Sequence, residues 1–403
     1  MDKLTIPTED ALRHFPNLTE HKSTLLGQLQ QTGTPVFFCE RGNLIERYRA
    51  LASSLGSRWG PHIIGYSFKT NYLVARCGVP RELGAWAEVV SGREYRLARA
   101  LGFAGENIIF NGPYKSDRDL ETALADRALL NVNDHDELDK VIALTTRSGT
   151  SAEIGLRVSF TLPKLGHSRF GFSLENSEID DALRSIRGSR LRLVGLHTHL
   201  YGDTDDPEIY AMAARRLGEF AQSEIPDDRE ALRFIDMGGG FPAHSPKPKS
   251  RESWNPRPID EYMWAITESL RSFFPDRNAA PTLIVEPGRY LTGDGILLVL
   301  RVHHVKQREG RQHINSNGSI SMMPLTHYCP QILRAYTAQL LPRTTEQVPT
   351  TIFGATCREN DVLFEGDFSR TQVGDYLVFF AAGAYNSSLS PDFIFKSPRM
   401  QLF

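Results

Sequence analysis

Apolar runs of four to seven residues recur along most of this chain. They fall at 35–39 (PVFFC), 63–68 (IIGYSF), 85–90 (AWAEVV), 107–110 (NIIF), 129–132 (LLNV), 153–158 (EIGLRV), 192–198 (RLVGLHT), 233–237 (RFIDM) and 283–286 (LIVE). Amphipathic stretches of helical length lie between them, among them 92–103, 116–126 and 134–145. Ser116 and the aspartates after it supply the start signal that a helix prefers. Residues 9–31 also read as helix, with a break near Pro16. Strand and helix alternating over some 250 residues predict a parallel sheet, closed as a (β/α)8 barrel or open and doubly wound. Nine strand candidates are one too many for a barrel, so PVFFC is expected to join another domain. Beyond about residue 290 the helical rhythm stops, and "GILLVLRVHHVK", "TTIFGATC" and "DYLVFFAAGAY" predict a β domain. The expected division is a barrel over 42–285 and a β domain built from 1–41 and 286–403. The proline-rich stretch 244–258 reads as a surface loop.

Composition narrows the class. The chain has 403 residues, 40% apolar and 23% charged, with a net charge of -2. That balance supports a large core and gives no electrostatic case for nucleic acid or an anionic membrane. Cys39, Cys77, Cys329 and Cys357 are widely spaced without a CxxC pair, which suits a reducing cytoplasm better than zinc or a disulfide framework. No apolar signal segment or membrane-length run is visible.

Chemistry in a barrel collects at the strand ends. Here those ends carry Lys69, Glu88, Asn111, Arg157, His197 with His199, Asp236 with Gly238, Gly239 and Gly240, and Glu286 with Arg289. A lysine ending a core strand either packs its stem with its head in water, or attacks a carbonyl as a Schiff-base amine, the arrangement that holds pyridoxal phosphate. Three glycines straight after a strand form either a tight turn or a phosphate-binding nest. "VEPGR" places Glu286 and Arg289 either as a local ion pair, or as a carboxylate for a ring nitrogen with a guanidinium for a phosphate. "HTH" puts His197 and His199 on one strand face, as core histidines, a ring-stacking partner, or, with Asp236, the ligands of a barrel metallohydrolase.

Taken together, "YSFKTN", "EVVSGREYRLARALGF", "IIFNGPYKSDRDLETAL", "NVNDHDEL", "SRFGF", "GLHTHLYGD", "FIDMGGGFP", "IVEPGR", "ATCRENDVLFEG", "VGDYLVF" and "GAYNSSLSPDF" follow in order from about residue 33 to 399. In this the chain resembles the fold-type III pyridoxal phosphate decarboxylases, the group of diaminopimelate, ornithine and arginine decarboxylases, with details nearer the diaminopimelate branch. The resemblance implies an alanine racemase-like barrel with a C-terminal β domain. It implies Lys69 as the Schiff-base lysine, His199 stacked on the pyridine ring, and Glu286 facing the ring nitrogen. Gly238, Gly239 and Gly240 would hold the phosphate through their amides, with Arg289 assisting and Tyr385 nearby. Cys357 and Asp361 would enter from the other subunit of a homodimer, Cys357 as proton donor to the carbanion and Asp361 at the substrate.

The chain departs from the diaminopimelate pattern in "CPQILRAY", where Cys329 stands for an arginine that helps hold a substrate carboxylate and Leu333 for a tyrosine. Gly202 stands for a serine near the phosphate. These losses point to another amino acid, a diamino acid or a carboxylated amine intermediate of a siderophore or other secondary metabolite. A racemase on the same cofactor and fold, the metallohydrolase, and a non-enzymatic cofactor carrier are the alternatives.

Overall fold

The structure is a computed structural model, and it describes residues 12–163, 165–200, 204–223, 232–244, 256–327 and 331–403. The first strand, β1 (Val36–Cys39), stands apart from the barrel. Eight parallel strands then close on themselves: β2 (His62–Ser67), β3 (Trp86–Val89), β4 (Ile108–Phe110), β5 (Leu129–Val132), β6 (Ala152–Ser159), β8 (Leu191–His197), β9 (Phe234–Asp236) and β10 (Thr282–Val285). A two-residue strand, β7 (Phe172–Ser173), adds to β6. The seam is β10 against β2, with Ile284 beside Ile63. Strands that pair this way expose no edge, which is why these short, wholly buried runs read as continuous apolar segments rather than alternating ones.

The intervening helices start where the sequence signals them. Ser116 Oγ accepts the Asp119 amide at 3.2 Å, and Asp119 returns a bond to the Ser116 amide, a reciprocal capping box for the helix Asp117–Ala125. Asp134 accepts the Glu137 amide at 2.9 Å to start His135–Ser148. The expected N-terminal helix is shorter among the described residues and runs Lys22–Thr32. No described helix is long and apolar enough to cross a membrane.

The remaining strands are β11 (Ile296–Arg308), β12 (Arg311–Ser316), β13 (Ile332–Tyr336), β14 (Gln347–Phe353), β15 (Val362–Ser369), β16 (Tyr376–Phe380) and β17 (Arg399–Leu402). They form a separate mixed sheet in the order β13-β16-β11-β12-β14-β15. As the surplus strand candidate suggested, β1 belongs here, antiparallel to β11 and parallel to β17. Successive residues of β1 and β11 face two different cores: Phe37, Leu298 and Leu300 on one side, Phe38, Leu297 and Val299 on the other.

Register arranges the barrel interior in layers. Ile63, Trp86, Ile109, Leu129, Val194, Phe234 and Ile284 form an apolar plug toward the strand starts. Toward the strand ends, Arg157 lies beside His197 and His197 beside Asp236, while Ser67 lies beside Glu88. The plug fits because two interior positions have no side chain. A Cβ on Gly195 would stand 2.1 Å from the Phe234 ring, and one on Gly155 2.8 Å from it. Overpacking of this kind costs roughly 1–3 kcal/mol. Gly195→Ala is therefore expected to lower the calorimetric unfolding midpoint by several degrees. Gly27→Ala, a helix position with nothing within 4 Å of the new methyl, leaves the midpoint unchanged or slightly raised.

Candidate active site

Lys69 lies in a single 3₁₀ turn, Phe68–Thr70, directly after β2. Its amine reaches Glu88 Oε2 at 2.5 Å, the same oxygen that accepts from Ser67 Oγ at 2.6 Å. Asn111, just past β4, donates from Nδ2 to Glu88 Oε1 at 3.1 Å and to Glu286 Oε1 at 2.6 Å. Asn131 in turn donates to Asn111 Oδ1 at 2.8 Å. A continuous line of hydrogen bonds thus runs from the Lys69 ammonium through Glu88 and Asn111 to Glu286, each link carried by a different strand end.

Three buried groups meet at the far end of that line. His197, Asp236 and Glu286 each offer a ligand-type atom within 4.8 Å of the others. His197 Nε2 is 3.8 Å from Glu286 Oε2. Burial lowers the His197 pKa, and the neighbouring Glu286 opposes that shift. Burial, and then the Glu286 charge, push Asp236 well above the carboxylate range, so Asp236 keeps its proton. Burial also opposes ionisation of Glu286, yet His197 and the Lys69 ammonium hold its carboxyl below the usual range. The two adjacent acids are pushed in opposite directions, Asp236 up and Glu286 down. For Lys69, burial disfavours the charge, but Glu88 and then Glu286 raise the pKa above its ordinary value.

His199 follows β8 by two residues. Burial first, then repulsion from Lys69 and Arg157, push its pKa down to about 3, so the ring is neutral at any working pH. It does not join the group formed by His197 and Asp236. The set His197, His199 and Asp236, expected of a metallohydrolase, is not the set that converges; Glu286 takes the place of His199.

The glycine run after β9 is packed against these groups. Gly238 has φ +64° and Gly240 φ +88°, conformations that favour glycine. A Cβ on Gly239 would lie 2.4 Å from the Glu286 carbonyl. The Gly238 amide donates to Asp236 Oδ1 at 2.9 Å. The expectation of three phosphate-binding amides is corrected on this point, since Gly238 is committed and only Gly239 and Gly240 lack a protein acceptor among the described residues. Glu286 and Arg289 diverge rather than pair: Glu286 turns into the barrel, and the Arg289 guanidinium lies 4.9 Å above the Tyr385 ring. Tyr385 adopts φ +59°, and its amide donates to the Thr70 carbonyl at 2.9 Å, which brings it to the lysine turn.

The structure corrects Asp361. Its carboxylate is buried and fully engaged by its own chain, accepting from the Ile320 amide at 2.8 Å, Ser319 Oγ at 3.2 Å, the Thr356 amide at 3.1 Å and Thr356 Oγ at 2.6 Å. It clamps the 354–361 loop and has no oxygen to offer a substrate. Cys357, on that loop, is exposed. Cys329 and Gly202 lie outside the described residues. Sequence reasoning placed Glu88, Asn111 and Arg157 at strand ends without giving them a role. What it lacked was the register that aims all three inward.

A family model described as "Pyridoxal-dependent decarboxylase, pyridoxal binding domain" matches residues 41–293. The chain belongs to the pyridoxal-dependent decarboxylase family. This decarboxylase is 26% identical to the diaminopimelate decarboxylase of Aquifex aeolicus over 379 residues, covering 91% of the chain and 85% of the relative. It is likewise 26% identical to that of Bacillus subtilis over 390 residues, covering 90% and 85%. The fold matches crystal structures of diaminopimelate decarboxylase from M. jannaschii, with TM-score 0.81, 22% identity and coverage of 94% and 88%. It also matches a lysine/ornithine decarboxylase from Vibrio vulnificus complexed with cadaverine, with TM-score 0.77, 23% identity and coverage of 96% and 98%. The decarboxylase is a carboxy-lyase acting on an amino acid with pyridoxal phosphate as cofactor.

The residues present fit that cofactor. Glu286 Oε2 is buried with no hydrogen-bond partner among the described residues, ready for a ring N–H. The amides of Gly239 and Gly240 are ready for a phosphate.

One group beside the site titrates within the working range. Glu94 accepts the Val90 amide at 2.8 Å, and burial raises its pKa from 4.5 to about 7. The folded protein then binds more protons than the unfolded chain between those values, so stability falls as pH rises from about 4.5 to about 7 and levels off above. Glu94→Gln keeps the carbonyl acceptor, and its unfolding midpoint, followed by calorimetry from pH 4.5 to 8, is expected to lose that decline and exceed the parent's at pH 8.

Proposed function

We propose that the decarboxylase works with Lys69 as the amine that holds the cofactor, Glu286 as the partner of its ring nitrogen, and His199 against its ring. Gly239, Gly240, Arg289 and Tyr385 hold its phosphate. The observation that carries this reading is the buried Glu286, whose second oxygen has no hydrogen-bond partner among the described residues and whose first is joined through Asn111 and Glu88 to the Lys69 amine. Bound pyridoxal phosphate supplies an aldehyde for an amine and, with its ring nitrogen protonated, a sink for the electron pair left as carbon dioxide departs. The protein's part is electrostatic. Glu286 keeps its charge because Asp236 holds the proton that two neighbouring acids cannot both release. Glu88 is oriented by Ser67 and Asn111 to take and return the Lys69 proton. His199, neutral and flanked by Gly239, offers a flat uncharged face.

The reading includes a two-copy enzyme, in which Cys357 of the partner subunit completes each site as proton donor. Two features support it. Cys357 is exposed on a loop clamped by Asp361, a rigid mount for a group that acts outside its own barrel. Next to it an apolar strip, Leu389, Phe393, Ile394 and Phe395, is exposed, with Arg358 5.9 Å above the Phe393 ring. We further read the substrate as a diamino acid or a carboxylated amine of secondary metabolism, on the departures at Cys329, Leu333 and Gly202 from the diaminopimelate pattern.

Carbon dioxide release by purified, cofactor-loaded enzyme across amino acids and carboxylated polyamines tests the reading. Lys69→Ala is expected to purify without the cofactor's visible absorbance and without turnover, and equal absorbance in the variant would remove the assignment. Glu286→Gln is expected to keep bound cofactor while kcat falls on the order of a hundredfold or more, as for loss of a preorganised charge partner. Retained turnover would show that ring protonation does not depend on it.

A further inference from the structure

The barrel mouth holds a second buried lysine, with no part in the chemistry of Lys69. Lys115 lies between β4 and the helix Asp117–Ala125, its side chain shut off from solvent. Its ammonium sits among three acceptors: the Gly112 carbonyl at 3.0 Å, the Asn131 carbonyl at 3.1 Å and Glu137 Oε1 at 2.5 Å. Glu137 is fixed in turn by the Asn133 amide, which donates to its other oxygen at 3.0 Å. A buried ammonium is costly unless charge and hydrogen bonds offset it. Here the two backbone bonds fall on a pair of asparagines: Gly112 follows Asn111, and Asn131 is the second member. The side chains of that pair meet. Asn131 Nδ2 donates to Asn111 Oδ1 at 2.8 Å, while Asn131 Oδ1 is buried with no hydrogen-bond partner among the described residues. A Cβ on Gly155, its neighbour on β6, would lie 2.1 Å from that oxygen, so the Asn131 amide has its place because Gly155 carries no side chain.

We propose that Asn131 and Lys115 are positioning residues of this site: they hold the Asn111 amide in the one orientation that serves both acids, and so ease release of the Lys69 proton. This rests on the decarboxylase reading above and deepens it. An amide side chain has a donor end and an acceptor end. With its Oδ1 held by Asn131, Asn111 turns its NH2 group to Glu88 Oε1 and Glu286 Oε1, at 3.1 and 2.6 Å. The titratable groups that face the Lys69 amine are Glu88, Glu286, Tyr385, Glu94 and His199. Among the described side chains, Asn111 is the donor that reaches both Glu88 and Glu286. A carboxylate that accepts an N–H binds protons less tightly. The two bonds therefore weaken the hold of both acids on the Lys69 ammonium. When pyridoxal phosphate is taken up, the Lys69 nitrogen bonds to the aldehyde carbon and the carbonyl oxygen leaves as water, and for this the amine must first be neutral.

The rate at which cofactor-free enzyme takes up pyridoxal phosphate, followed by growth of the visible absorbance at pH 8, tests this. Leucine copies the shape of asparagine without its polar ends. Asn111→Leu is expected to slow uptake about tenfold and Asn131→Leu about fivefold. Each variant is expected to reach the parent's final absorbance and to keep the parent's sensitivity to competing inorganic phosphate. The double variant is expected to be no slower than Asn111→Leu alone, because Asn131 acts only through Asn111. Lys115→Met, combined with Glu137→Gln so that no lone charge stays buried, is expected to slow uptake in the same way. Unchanged uptake in Asn131→Leu or in the Lys115 variant, effects that multiply in the double variant, or slowing matched by an equal loss of phosphate affinity overturns the proposal. If a leucine variant does not fold, alanine at the same position carries the same comparison. A parent enzyme that develops no absorbance shows instead that the decarboxylase reading itself has failed, and the proposal falls with it.

Discussion

Glu286 is a carboxyl group buried in the middle of a protein, with its pKa pushed down rather than up. Taking a carboxylate out of water costs several kcal/mol, and that cost is offset only where neighbours supply charge or hydrogen bonds. Here the offset comes from several strand ends at once. Asn111 donates to it just past β4, the Lys69 ammonium at the end of β2 attracts it, and His197 lies against it from β8. Asp236 is the most telling member. Placed beside Glu286 on β9, it has its pKa pushed up by burial and by that neighbour. Each of the two acids keeps one buried oxygen without a hydrogen-bond partner among the described residues.

That polar layer imposes a second constraint on the barrel below it. A core interrupted by carboxylates and amides must recover its cohesion in the apolar layer that remains. The Phe234 ring does so by lying where Gly155 and Gly195 leave room, with Ile109, Val194 and Ile284 around it. The glycines of β6 and β8 give the Phe234 ring its place, and they are as much a part of the site's support as the hydrogen bonds.

Much of this was legible from the chain alone. The barrel strands were written as short apolar runs, and the polar residues ending them named Lys69, His199, Glu286 and Arg289 as candidates. The surplus strand PVFFC belongs outside the barrel because a closed sheet counts its members. What could not be read was direction. Asp361 has the residue type of a substrate ligand and the position of one, but its oxygens are turned onto Ser319, Ile320 and Thr356. The Gly238 amide looks like its two neighbours in sequence, yet Asp236 claims it. Asn111 is an ordinary loop asparagine until register sets it between two acids. Each of these depends on contacts between residues 2 to 175 positions apart, and local pattern carries no information about the longer ones.

The same argument explains why the β domain cannot be a passive appendage. The lysine turn is fastened as much to it as to the barrel. Tyr385 donates its amide to the Thr70 carbonyl, Asn71 Nδ2 donates to the Gly383 carbonyl at 2.9 Å, and Tyr72 donates its hydroxyl to the Ser388 carbonyl at 2.8 Å. Arg76, wholly buried, reaches Cys39 Sγ on β1 and the Leu291 carbonyl beyond β10. An amine at a strand end is held by the barrel only up to Ser67, and after that its course depends on these bonds. A turn fixed from two sides can hold Lys69 against Glu88 with little motion, and precise placement of a reacting group is worth more to rate than proximity alone. The fold therefore places the Lys69 amine at a junction, where neither domain by itself determines its position.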